Sequence, residues 1–363
     1  MAKIKFSPED FKVKEILNDN FFKNRGDYRI YRLWKRGLET QEVMERIAKI
    51  SKIPVKFIGY GGLKDKNAET VQFISIPAKY SLKELNKGNL KLSFCGFSTS
   101  PITSSSIKRN RFEIVVRETL KDKEKIEIIR RAGVPNYYGE QRFISLRKGQ
   151  LFIHHLISRN YKQAIEYLFT PAGWENSKSR KGKKAFLEGN FKEAVLLLSG
   201  WRKKIAQYLL KIPAASPETL FKLIPRKEIE FQINIFQSLL FNKAVASMIK
   251  KSGKELFAFK YKAGIMFFPV EKPGIPEKIE MFYPEIKNPI YAPILRKEGI
   301  KVDSMKRFSG YFHRFSRKTF VRVENFEITE MKEKTVLKFE LPSGSYATNV
   351  VRFLFNSIKF KGV

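Results

Sequence analysis

Gly59-Tyr60-Gly61-Gly62-Leu63-Lys64-Asp65-Lys66-Asn67-Ala68-Glu69-Thr70 is the stretch whose reading decides the fold. It separates two apolar, β-branched runs, residues 55–58 and 71–76, so the sequence predicts strand, loop, strand. Its glycines let the backbone turn sharply and leave space above it for a ligand. Asp65 stands between Lys64 and Lys66, near the tip of the loop. A carboxylate beside cations keeps its charge at neutral pH, which suits a nucleophile. Taken alone, the stretch reads more simply as a hairpin turn with solvated charges; segments on either side decide against that.

Upstream, Phe11-Lys12-Val13-Lys14-Glu15-Ile16 alternates apolar and charged residues, the pattern of a half-buried strand. A loop over 18–26 carries Phe21 and Phe22. Residues 28–34 read as a second strand, ended by Lys35-Arg36-Gly37. Thr40 can cap a helix to about residue 52, with Val43, Ile47 and Ile50 on one face and Pro54 closing it. Downstream, Ser81 and Glu84 have capping-box spacing for a short helix that Gly88 stops. Residues 90–97 read as a strand and 98–106 as a polar linker. A strong strand at 112–117 and a charged helix from about 121 to 132 follow. This is mostly antiparallel sheet with helices packed on one face, an α+β design.

The character then changes. Helical periodicity dominates residues 151–251, with a very basic break at 177–184 and the clearest long helix at 231–251, where Ile235, Leu239 and Leu240 share one side. Short strands and Pro-rich turns fill 253–293. Strand patterning of the first type resumes at 320–328 and 335–341, and a helix at 349–358 ends the chain. The expectation is one discontinuous domain, residues 1–147 and 318–363, interrupted by an inserted α/β domain at 148–317.

Of the 363 residues, 43% are hydrophobic, so a substantial core can form. Lys plus Arg is 71 against 36 Asp plus Glu, a net charge of +35 spread along the whole chain. Such an excess points to a polyanionic partner, nucleic acid above all. A membrane partner is not expected, because no long apolar span or terminal basic amphipathic helix stands out. Cys95 is the single cysteine, which excludes an intrachain disulfide and a cysteine metal site. The start, Met1-Ala2-Lys3-Ile4-Lys5, lacks the apolar core of a signal peptide, and a cytoplasmic protein is expected. No glycine-rich run ends in Gly-Lys-Ser/Thr, and residues 59–62 are not a dinucleotide fingerprint. His154 and His155 are neighbours on a helix and point apart, so metal chemistry through them is not expected. Carboxylate, lysine and aromatic side chains remain as the chemical groups.

Gly62-Leu63-Lys64-Asp65-Lys66, Asn110-Arg111-Phe112, the turn-rich segment at 134–143 and the segment at 341–348 together resemble the TruD family of tRNA pseudouridine synthases. Ser7-Pro8-Glu9-Asp10-Phe11 and Phe236-Gln237-Ser238-Leu239-Leu240-Phe241-Asn242 fit as well. The matches keep their order from end to end. The resemblance implies a pseudouridine-synthase sheet with a family-specific insertion. It also implies isomerisation of a D-arm uridine of tRNA, conventionally numbered 13, without cofactor or metal.

On this resemblance Asp65 is the catalytic aspartate, acting as a nucleophile or as a proton acceptor at the ribose, and Lys5 is its basic partner. Asn110 is expected on a ribose or uracil edge. Phe112 offers a ring to the base, or is the first core residue of its strand. Tyr346, where the family usually has phenylalanine, is expected to cover the uracil, against the alternative of packing on the last helix. Phe22 best fits the aromatic of the first loop, with Phe21 nearly as good. The basic run at 178–184 is expected on tRNA phosphates. Two positions depart from the family pattern: Arg109 replaces a frequent glycine, and Arg352-Phe353 replaces a common Arg-Glu pair. A monomer is expected, and a basic RNA-binding protein or chaperone of the same fold without catalysis is the rival reading.

Overall fold

The structure, a computed structural model, describes residues 7–173, 175–253 and 255–360. Its centre is a nine-stranded sheet. The strands are β1 (Phe11–Leu17), β2 (Tyr28–Arg36), β3 (Gly59–Tyr60), β4 (Glu69–Pro77), β5 (Leu85–Lys87), β6 (Leu90–Ser98), β7 (Ile107–Val116), β8 (Glu324–Met331) and β9 (Lys334–Pro342). Their order is β8-β9-β7-β1-β4-β2-β6-β5, with β3 beside β4. Only β1 and β4 run parallel, pairing Lys12 with Glu69 and Lys14 with Val71. Beyond that point β3 takes over the edge of β4, pairing Gly59 with Ser75.

The registers put Lys35 opposite Thr70 on β2 and β4, Val13 opposite both Thr70 and Phe112, and Glu15 opposite Asn110. Strand alternation then places Lys35, Thr70, Gln72, Glu15, Asn110 and Phe112 on one face of the sheet. Two apolar cores cover this face. Helix α1 (Thr40–Ser51) lays Val43, Met44 and Ile47 on Leu33 and Ile74. Helix α2 (Glu124–Ala132) lays Ile128 and Ile129 in the core that holds Phe11, Val13, Phe112 and Ile114. The polar residues Lys35, Thr70, Gln72, Glu15 and Asn110 belong to neither core and lie along the seam between them.

The second core runs on into the segment between α2 and β8 without a break. That segment is mainly helical, and its centre is the helix Arg226–Lys251, buried on nearly every side: Ile233, Phe236, Leu240, Ala244 and Val245 are fully enclosed. The paired strands Lys278–Glu280 and Ser316–Lys318 tie its later part together, and Val134–Pro135 pairs with Phe320–Val321 at its root.

Several local expectations are corrected. Residues 55–57 form a 3-10 turn, not a strand, and only Gly59 and Tyr60 pair with β4. No helix forms after Ser81; the Glu84 side chain instead accepts from the Phe94 amide (2.9 Å), and Leu85–Lys87 becomes an edge strand. Glu39, not Thr40, precedes the first turn of α1, which frees the Thr40 hydroxyl for another task. The basic run lies on a helix, Ser177–Leu187, and not in a break. The last helix is shorter than expected, Ala347–Val351, continued by a wider turn over Arg352–Asn356.

Candidate active site

Glycine spacing shapes the base of the Asp65 loop by close approach. A side chain on Gly59 would meet the Ile102 carbonyl at 2.9 Å, and one on Gly61 would meet Ile107 at 2.5 Å. Protein therefore fills the space beside these two glycines, not a ligand as the sequence suggested. Gly62, with φ +143° and open space around it, is the position that needs glycine for its conformation.

Beyond Gly62 the main chain is pinned residue by residue. The Lys64 amide donates to the Thr40 hydroxyl (3.0 Å), which in turn donates to the Lys64 carbonyl (3.3 Å). Lys35 Nζ donates to the Asp65 carbonyl (3.1 Å) and the Leu38 carbonyl (2.7 Å). Asp65 Oδ1 accepts from the Asn67 amide (2.9 Å). The Asp65 residue itself is exposed, while Thr40, Lys35, Thr70 and Gln72 form a buried floor under the loop. Lys35 is fully enclosed, and burial pushes its ammonium down to about 8, against the pull of the Asp65 carboxylate.

The Lys64 side chain reaches the other way. Its Nζ lies 2.7 Å from Glu15 Oε1 and donates to Asn110 Oδ1 at 3.2 Å. The first contact is an ion pair and not a directed hydrogen bond. Glu15 Oε2 accepts from the Phe73 amide (2.9 Å), a donor left free where β1 and β4 part. The Asp65 loop, β1, β4 and β7 are thus joined by one chain of charge-assisted contacts.

The structure places Asn110 against the side chain of Lys64, the residue before Asp65. Phe112, two residues along β7, is buried, with its ring between Phe11 (centroids 6.2 Å) and Phe339 (5.5 Å). Tyr346 lies past the end of β9, edge-on to Tyr138 (5.9 Å), and burial raises its phenol. Arg317 holds this turn: it stacks 4.1 Å over the Tyr138 ring and donates twice to the Gly344 carbonyl (3.1 Å each). Phe22 is not brought to this group. Both Phe21 and Phe22 gather around Phe73, which alternation turns away from the Thr70–Gln72 face. Lys5 lies outside the described residues. Of the departures, Arg109 forms an ion pair with Glu324, and Arg352 pairs with Glu140 (2.9 Å) while Phe353 packs on Phe257 and Phe268.

Sequence reasoning passed over Glu15, Lys35, Thr40 and Arg317. For two of them the signal was present. Glu15 falls in phase with Phe11 and Val13, and Lys35 in phase with Tyr31 and Leu33, so both had to point inward. Among the described residues no cluster of His, Cys, Asp and Glu could hold a metal ion, and no helix is long and apolar enough to cross a membrane.

A pinned main chain, an exposed carboxylate and a buried cationic support suit proton transfer or nucleophilic attack on a substrate that comes from outside. The architecture is that of a known class. A crystal structure from Methanosarcina mazei, assigned to tRNA pseudouridine synthase D, superposes with a TM-score of 0.65, covering 97% of this chain and 93% of that one at 22% identity. The fold is therefore that of a pseudouridine synthase. The profile of the family described as tRNA pseudouridine synthase D (TruD) matches residues 1–258 and 275–354, and the chain belongs to this family of tRNA-modifying isomerases. The tRNA pseudouridine synthase D of Leptospira interrogans is 30% identical over 97% of this chain and 95% of its own length. That of Aquifex aeolicus is 28% identical over 98% of both.

Proposed function

We propose that this enzyme converts a single uridine of the tRNA D arm, conventional position 13, to pseudouridine, with Asp65 as the reacting carboxylate. The bond from C1′ to N1 breaks, the uracil turns, C1′ joins C5, and the C5 proton leaves as N1 gains one. A stacked uracil cannot turn, so it is extruded from the RNA into the site. Asp65 attacks the ribose or takes its proton. Asn110 bonds an edge of the nucleotide, while Tyr346 covers the uracil. Lys5 is assigned as a cationic partner of Asp65. Phe112 is assigned to shaping the wall behind the base, through the row it forms with Phe11 and Phe339.

The observation that supports this most is the anchoring of the Asp65 loop. Its main chain is held on both sides while the residue is exposed, so the acid is offered on a fixed backbone. Residues 1–147 and 318–363 act as the catalytic unit, and residues 148–317 as the inserted unit that holds the RNA against it. The protein works as a cytoplasmic monomer. Mapping of modified positions in tRNA from cells lacking the gene tests the assignment. The D-arm pseudouridine at position 13 is expected to disappear and to return with the gene; its persistence would overturn the reading.

A further inference from the structure

Beside Tyr346 lies a cavity of about 590 Å3, between the turn at 139–147, the helix Tyr161–Phe169 and the start of the helix Arg226–Lys251. None of Asp65, Asn110 and Phe112 lines it. Its size is that of a pocket for a nucleotide-sized ligand.

Its wall is incompletely satisfied. Ser145 Oγ, Arg147 Nε and Gln232 Oε1 are enclosed and have no hydrogen-bond partner, and all three residues line this one cavity. Buried polar atoms without partners are costly, so their concentration here marks a place where a ligand can supply donors and acceptors. Gln232 is 8% exposed, and its amide nitrogen is already committed to Glu228 (2.9 Å), which leaves the carbonyl oxygen to accept. The mouth has a different chemistry. Phe231 is 50% exposed, and the Arg142 guanidinium lies 5.3 Å over its ring. A half-exposed ring with a guanidinium above it is a surface on which a nucleobase stacks without regard to its identity.

We propose that this cavity receives a second unstacked nucleotide of the tRNA, a neighbour of the target uridine, with its base on Phe231 and its polar edge toward Gln232 and Ser145. Arg142 and Arg147 meet its phosphate. The inference rests on the reading above, which assigns Tyr346 to the uracil, because Tyr346 also lines this cavity. Two extruded nucleotides explain how one uridine is selected: the correct uridine is the one whose neighbour also fits.

The test is an abasic scan. Full-length unmodified tRNA transcripts, each lacking one base at positions flanking the target, are titrated against the wild-type enzyme and F231A by fluorescence anisotropy. Loss of one flanking base is expected to weaken wild-type binding roughly tenfold. F231A is expected to weaken binding of the complete tRNA by a similar factor and to show no further loss with that abasic RNA. F231Y is expected to restore the wild-type pattern, which a merely destabilised protein would not do. Multiplying penalties at every position, or no sensitive flanking position, would overturn the proposal. Binding is read without catalysis, so failure to find pseudouridine at position 13 would count against the proposed reaction and leave this result interpretable.

Discussion

The ammonium of Lys35, enclosed at the bottom of the site, donates to the main-chain carbonyl of Asp65 at 3.1 Å. The contact holds the Asp65 main chain while the residue stays exposed. Lys35→Met removes the donor to Asp65 and Leu38 together. Weakening a positioning contact of this kind, worth about 1–2 kcal/mol, is expected to lower kcat roughly tenfold with little change in KM. A raised KM with kcat unchanged would show that Lys35 serves RNA binding instead.

The same lysine carries a pH signature. The charged groups that bear on it are Asp65, Lys64 and Glu39. Its proton leaves near pH 8 in the folded protein and near 10.5 in the unfolded chain. Between those values the unfolded state binds more protons, so this group makes stability rise with pH across that window. Below about pH 8 both states are charged and the contribution is flat. Chemical denaturation from pH 7 to 10 should show this rise in wild type and its loss in Lys35→Met; parallel curves would contradict it.

Glu15 is fully buried and pairs with Lys64, whose side chain is 15% exposed. Glu15→Ala strands that cation and the Phe73 amide, and is expected to destabilise the protein by about 3 kcal/mol. Glu15→Gln keeps an acceptor for the amide and should cost less. Urea titrations of the two variants check the order.

Gly139 has no room for a methyl group: a Cβ there would lie 2.6 Å from the Tyr346 ring and 3.1 Å from the Thr348 hydroxyl. Gly139→Ala therefore displaces Tyr346 while leaving Asp65 untouched. Turnover is expected to fall roughly tenfold or more at a stability cost of about 1–3 kcal/mol. Unchanged turnover would remove Tyr346 from the site.

On the helix Ser177–Leu187 the lysines divide. Lys178, Arg180 and Lys181 are exposed, whereas Lys183 turns inward to an ion pair with Glu175. Replacing the exposed group by alanine is expected to reduce the slope of log K against log salt by about 0.7–0.9 for each phosphate that is no longer neutralised. Lys183→Ala should instead destabilise the protein by about 3 kcal/mol, through the charge left on Glu175. Thermal melts and salt titrations separate the two.

The sheet was largely legible because its strands alternate cleanly, and the positions of β1, β2, β4, β6 and β9 follow from period-two patterning. The expected helix after Ser81 failed because a capping-box pair carries little weight when Glu84 finds a tertiary partner in the Phe94 amide. Asp65 and Asn110 could be picked out as short motifs. That Glu15 and Lys35 point inward could be read from their strand phase, but not that they meet at the loop with Thr40, since the three come from different strands and a helix and only the register brings them together. Phe22 was placed by its resemblance to a first-loop aromatic, with Phe21 nearly as good, and such a likeness says nothing about the face of the sheet a ring ends on.

Whether the Asp65 carboxylate carries out the isomerisation is tested most directly by single-turnover pseudouridine formation with Asp65→Asn on unmodified tRNA, read by mass spectrometry at saturating enzyme. The substitution keeps size and hydrogen bonding to the Asn67 amide and removes the charge. Tight tRNA binding with no product, a loss of at least about 10⁴-fold, is the predicted result. Product formed at a rate within tenfold of wild type would contradict a catalytic role for Asp65.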